Sequence, residues 1–138
     1  KQTAASLHEL GKYNLAKKKF DEAITLLTQG LALEPNNTPI KIDLAIASIE
    51  RGKRWRASGQ MEKAQADFQN GKTNLEQAIA NSPSSLEAHF NLALLYQTLN
   101  NWPEAEKAWQ RYLTMDQRSE WEQEARRYLE IAIEAQKQ

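Results

Sequence analysis

Seven pattern positions of this chain recur, in the same order, 82 residues further on. Leu7, Leu10, Gly11, Phe20, Ala23, Leu27 and Gly30 correspond to His89, Leu92, Ala93, Trp102, Ala105, Trp109 and Tyr112. A spacing kept at so many positions means that one supersecondary unit is used more than once. Within each copy the apolar residues fall three and four apart, stop, and resume, which is the pattern of two amphipathic helices joined by a tight turn.

Ala, Leu, Lys, Glu and Gln dominate, and alternating β-branched or aromatic runs are missing, so helix is expected throughout. Breaks near Pro35-Asn36-Asn37, Ser58-Gly59, Asn81 to Ser85, Asn100-Asn101 and Gln117 to Ser119 leave seven helices, at about 3–16, 20–32, 39–57, 61–80, 86–99, 103–114 and 120–136. The short connections make successive helices antiparallel neighbours.

The pattern resembles the tetratricopeptide repeat, W-x₂-L-G-x₂-Y, then A-x₃-F, then P, over about 34 residues. Leu7 and His89 stand where the family prefers tryptophan, Asn14 replaces the tyrosine, and Gln117 replaces the last proline. The resemblance implies an all-α, right-handed α-solenoid of three helical hairpins closed by a C-terminal capping helix. It divides a single domain, 1–138, into repeats at about 4–37, 38–85 and 86–119, with the cap at about 120–136. Trp121, Ala125, Tyr128, Leu129 and Ala132 form the apolar stripe of that cap.

The middle repeat is long. Pro35 and Pro83 are 48 residues apart, 14 more than the family period, and the excess divides into seven per helix. The seam Leu44, Ala45, Ser48 runs on to Gly52 and Trp55, and Met61, Ala64, Phe68, Gly71 runs on to Leu75 and Ala78. Seven residues are close to two turns, with a drift of only ~20°. Both apolar faces therefore stay in register, and each helix gains roughly 10 Å beyond its neighbours.

Composition narrows the function. The 138 residues carry 18 basic and 18 acidic groups, no cysteine and two histidines, His8 and His89. Disulfides, thiol catalysis and cysteine-ligated metals are excluded, and no run is apolar enough to span a bilayer. Glu104/Glu106 and Glu120/Glu122/Glu124 are spaced i,i+2, which points them apart on a helix, and no Gly-rich phosphate loop or metal motif occurs. The expectation is a non-enzyme without metal or cofactor. Trp102, Trp109 and Trp121 read as core. The chain begins at Lys1 and is read as a piece of a longer one, so its compartment stays unassigned.

The family lines a concave groove with inner-facing residues of each first helix. The resemblance assigns that role to His8, Lys12, Ile42, Asp43, Ile46, Ile49, Glu87, Phe90, Asn91, Leu94 and Gln97. The expected function is a scaffold or adaptor that holds a peptide or helix of a partner by apolar anchors, with Ile42, Ile46, Phe90 and Leu94 at the centre. Some family members grip chaperone C-terminal tails in a carboxylate clamp. Here Asp43 and Glu87 occupy matching positions and would repel a carboxylate, so such tails are not expected partners. The alternative is homo-oligomerisation through the extended hairpin, around Ala57 to Met61, or through the solenoid ends.

Charge is uneven. Residues 1–56 carry a net +4 and residues 57–138 a net −4. The basic excess lies in Lys17, Lys18, Lys19 and in Arg51, Lys53, Arg54, Arg56, at the C-terminal ends of two first helices, which the repeat places on one edge. The plainer reading is that these cations complement helix dipoles. The sharper one is a docking edge for an acidic partner, anionic lipid or RNA, with Trp55 available to stack; nucleic acid ranks last because the cations keep to one edge.

Overall fold

A computed structural model describes residues 2–138. Among them lie seven helices and no strand: α1 (Ala4–Ala16), α2 (Phe20–Leu33), α3 (Thr38–Ala57), α4 (Met61–Asn81), α5 (Leu86–Thr98), α6 (Trp102–Met115) and α7 (Trp121–Ala135). The chain forms two compact units, the first up to Ser82 and the second from Pro83. The first holds two hairpins, α1–α2 and α3–α4; the second holds the hairpin α5–α6 and α7.

Local chemistry sets the ends of the helices. Thr3 and Ser6 form a reciprocal capping box on α1, while Asn37 and Ser85 accept from the backbone amides of Ile40 and Ala88 at the starts of α3 and α5. Each hairpin turn is closed by one residue in the left-handed region: Lys18 (φ 61°), Gly59 (φ 78°) and Asn100 (φ 57°). The next amide reaches back to the carbonyl five residues earlier, Lys19 to Asn14, Gln60 to Trp55 and Asn101 to Tyr96, at 2.8–2.9 Å. These bonds are the Schellman closure that ends a helix and redirects the chain. The three left-handed residues are 41 apart, the family period plus seven.

The lengthening is symmetric. Helix α1 has 13 residues and α3 has 20, while α2 has 14 and α4 has 21. Seven residues are thus added to each arm of the middle hairpin, as the sequence requires. Glycine permits close contact between the arms: a Cβ on Gly52 would sit 2.8 Å from the Phe68 ring, and one on Gly71 2.6 Å from Ile49.

The core of the first unit gathers Ala4, Ala23, Leu27, Ile40, Leu44 and Ala47; that of the second gathers Ala93, Ala105, Ala108, Trp109, Tyr112, Ala125 and Ala132. Of the residues read as core, Trp102 is only partly buried, and Met61 and Trp121 are half-exposed. Met61 is 51% exposed, because it opens α4 just beyond the turn, where α3 has already ended at Ala57. Trp121 is 50% exposed: it is the first residue of α7, and its ring meets that of Phe90 edge-on.

Candidate functional site

In the first unit α1 and α3 are tied by a bond between His8 Nε2 and Asp43 Oδ2, 2.6 Å long, with both side chains more than four-fifths shielded. The Asp43 carboxylate thereby has a partner within the fold. Lys12 lies one turn beyond His8, exposed, and pairs with Glu9 at 3.2 Å. On α3, Ile42 and Ile49 are buried, at 3% and 7% exposure, so Ile46 alone of these three isoleucines retains open apolar surface.

The face of α5 in the second unit is built differently. Phe90 is partly exposed yet held by three edge-on rings, with centroids 4.9 Å away at Trp109, 5.2 Å at Tyr112 and 5.7 Å at Trp121. Leu94, also partly exposed, packs on the same cluster. Such edge-to-face contacts hold an aromatic surface rigid, so little side-chain entropy remains to be lost on binding. Asn91 donates to the Glu87 carbonyl at 2.8 Å, and the Gln97 amide oxygen accepts from Trp109 Nε1 at 3.3 Å. Phe90 and Leu94 therefore keep open apolar surface, while Gln97 serves the buried tryptophan.

Of the basic residues of the first unit, Lys18, Lys19, Arg51 and Arg54 line one cleft, and Lys17, Lys53 and Arg56 lie outside it. Arg54 donates to the Lys18 carbonyl at 3.2 Å and stacks its guanidinium over Phe20 at 4.4 Å. Arg51 is already committed: its Nε and Nη2 make a fork with buried Asp67 at 2.8 and 2.9 Å, and its Nη1 reaches Asp21 at 2.9 Å. The hydrogen bond to Asp67 holds the Arg51 guanidinium well above its ordinary range, against the cost of burial. Lys53 pairs with Glu50 at 2.9 Å, Lys17 lies over Tyr13, Arg56 over Phe68, and Lys63 over Trp55. Between the α1–α2 turn and α3 lies an open cleft of about 260 Å³, lined by Lys18, Lys19, Phe20, Asp21, Glu22, Arg51, Arg54 and Trp55.

Among the described residues no group of three or more His, Cys, Asp or Glu side chains could hold a metal ion, and no helix is long and apolar enough to cross a membrane.

Sequence reasoning missed two polar centres. Asp116, 5% exposed at the end of α6, accepts from Tyr112 Oη at 2.6 Å, from the Ser119 hydroxyl and from the amides of Arg118 and Ser119. These bonds, led by that of the Ser119 hydroxyl, hold the carboxyl far below the usual carboxylate range. Burial and the bond to Asp116 push the Tyr112 hydroxyl up to about 12. The spacing Tyr112-x₃-Asp116 at a helix end was the available signal. The second centre, Arg51–Asp67, spans the hairpin and left none in a local reading.

Two profiles described as tetratricopeptide repeat match this chain, over residues 14–71 and 56–120. The chain belongs to the tetratricopeptide repeat family. Comparison with curated protein sequences gives no match. Solved structures share the fold. The first TPR of Spaghetti (RPAP3), bound to the HSP90 peptide SRMEEVD, is 23% identical with a TM-score of 0.77, over 98% of this chain and 96% of that one. The first TPR domain of human RPAP3 gives 22% and 0.79, over 97% and 92%. The Arabidopsis OM64 TPR domain gives 16% and 0.75, over 93% and 94%.

Proposed function

We propose that the chain is a non-catalytic protein-interaction module, a single domain of three hairpins and a cap, that holds a peptide or helix of a partner. The observation that carries this reading is the aromatic face of α5, where Phe90 and Leu94 stay partly open on a rigid ring cluster. In the first unit, taken by itself, Ile46 on α3 also keeps open apolar surface, and His8 and Asp43 form a polar pair between α1 and α3. A related fold carries a bound peptide in the first TPR of Spaghetti, which supports the general mode.

The partner suited to these faces has apolar anchors. A chaperone tail ending in a carboxylate is disfavoured, since the acidic side chains Asp43 on α3 and Glu87 on α5 stand where the clamp would need cations. Phage-displayed random peptides selected on this domain should carry spaced apolar residues, and should lose binding to an Ile46→Lys, Leu94→Lys variant shown to be folded by circular dichroism. Peptides that bind parent and variant equally would remove the function from these faces. The peptide SRMEEVD serves as the charge control: saturable binding that Lys12→Ala abolishes would overturn the exclusion of the clamp.

One observation favours a second reading, self-association through the tip of the long hairpin: Met61 is 51% exposed beside exposed Ala57 to Gln60. Light scattering over a concentration series, repeated with Met61→Glu, separates the two readings. A mass that rises with concentration and reverts in the variant supports the tip.

A further inference from the structure

The cleft at the hairpin edge is distinct from the faces of α3 and α5 just described, and its charges do not balance within the fold. Of the four cations lining it, Arg51 is consumed by Asp67 and Asp21. Among the described residues, no carboxylate lies within ion-pair distance of Lys18, Lys19 or Arg54, and Arg54 meets a backbone carbonyl and a ring. On the acidic side Asp21 is taken by Arg51, which leaves Glu22. Arg54 is also held in place by Phe20 and by the Lys18 carbonyl, so its guanidinium is presented in one position. The walls contributed by Phe20 and Trp55 are apolar.

We propose that this cleft docks a short acidic segment of a partner protein, with two or more carboxylates flanking one apolar side chain. The carboxylates pair with Lys18, Lys19 and Arg54, and the apolar side chain lies against half-buried Trp55. A volume of about 260 Å³ admits a few side chains and no more. One feature disfavours polyanions. Asp21, Glu22 and Glu50 interrupt the cations, whereas a nucleic-acid backbone or an anionic bilayer requires a continuous basic track.

The test is fluorescence anisotropy with a labelled, end-blocked peptide of sequence Asp-Glu-Leu-Glu-Asp, beside its neutral counterpart Asn-Gln-Leu-Gln-Asn. The acidic peptide should bind at low salt and weaken as salt is raised. The neutral one should bind at least about tenfold more weakly, the loss expected when charge-assisted pairs are removed. Lys18→Glu with Lys19→Glu, both on an exposed turn, should reduce binding by about tenfold or more, and Arg54→Gln by about threefold. Ile46→Lys should leave it unchanged, which separates this site from the one proposed on α3 and α5. Absence of binding by the acidic peptide, or binding indifferent to the Lys18 and Lys19 changes, overturns the proposal. Tighter binding of an oligouridine or of phosphatidylserine vesicles than of the peptide, lost in the same double variant, overturns it in favour of those ligands. Self-association lost in that variant, with no competition from the peptide, overturns it in favour of a second copy of this chain.

Discussion

The hairpins α1–α2 and α5–α6 have the same plan and different interiors. Each pairs a 13-residue helix with a 14-residue one, and each closes through a left-handed residue, Lys18 or Asn100. Inside the first, Gly11 lies so close to Leu27 that a Cβ would come within 2.6 Å of the leucine Cγ. At the same two positions the second has Ala93 and fully buried Trp109, the latter stacked on Tyr128 with centroids 5.2 Å apart. Their exits differ as well. After α2 the chain runs through exposed Glu34 into Pro35; after α6 it runs through buried Asp116 into Gln117. Spacing defines the hairpin, while its interior can be filled by a leucine against a glycine or by an indole among rings. A turn stiffened by proline in one place is stiffened by a buried carboxylate network in the other.

The largest expected effect tests the interiors. Trp109→Ala removes a fully buried indole that meets Phe90, Tyr112 and Tyr128, and should destabilise the fold by about 3–5 kcal/mol. Leu27→Ala deletes a smaller side chain and should cost about 2–4 kcal/mol. Urea unfolding gives both values. A Trp109→Ala loss below that of Leu27→Ala would show that the ring cluster contributes little beyond the volume it fills, and the contrast between the two interiors would fail.

The second prediction concerns the exits. The Asp116 carboxyl titrates below its unfolded value, so the unfolded chain takes up its proton first as pH falls. The stability due to this group is therefore complete above about pH 4, the ordinary aspartate range, and is lost as pH drops toward the depressed folded value. Asp116→Asn should lower the urea midpoint at pH 7 and flatten its decline between pH 5 and pH 2.5. Glu34→Gln, on the exposed counterpart, should leave the midpoint at pH 7 unchanged. An equal acid response in Asp116→Asn and the parent would place the acid-sensitive group elsewhere.

The fold was legible in the sequence because periodicity and spacing are local properties: helix ends fall within one residue of expectation, and the two seven-residue additions lie where the seams demand. The site was legible only in part. The partners Arg51 and Asp67 are 16 residues apart, and His8 and Asp43 are 35 apart. A basic run therefore reads as three or four free cations when one already holds a buried carboxylate. Exposure was equally hidden for Trp121 and Met61, which match the stripe by spacing yet lie at helix starts, where the facing helix gives no cover. Ile42 and Ile49 show the reverse: they share a face with Ile46 by period, but only Ile46 retains open surface.

A smaller effect is expected from exchanging the small residues. Gly11→Ala gains helix propensity worth about 1 kcal/mol but must displace Leu27, at about 1–3 kcal/mol, for a net loss of about 1 kcal/mol. Ala93→Gly should also lose about 1–2 kcal/mol, through backbone freedom and the loss of a buried methyl. Opposite substitutions at equivalent positions would then both destabilise, which is the signature of two interiors fitted separately; a stabilising Gly11→Ala would mean that Leu27 yields freely.

The smallest effect asks whether the two exits are interchangeable. Asp116 has extended backbone, φ −132° and ψ 111°, the conformation a following proline demands. Glu34, ahead of Pro35, is similarly extended at φ −135° and ψ 80°. Among the described residues no backbone hydrogen bond outside the helices uses the Gln117 amide, so a proline there removes no such contact. Gln117→Pro should therefore stabilise the protein by about 0.5–1 kcal/mol, by restricting the unfolded chain. Because the ring acts on the unfolded state and the Asp116 network on the folded one, the gain should persist in full in the Asp116→Asn background. A gain present only when Asp116 is intact would show that proline needs the network to hold the turn, and that the two exits are not alternative solutions to one constraint.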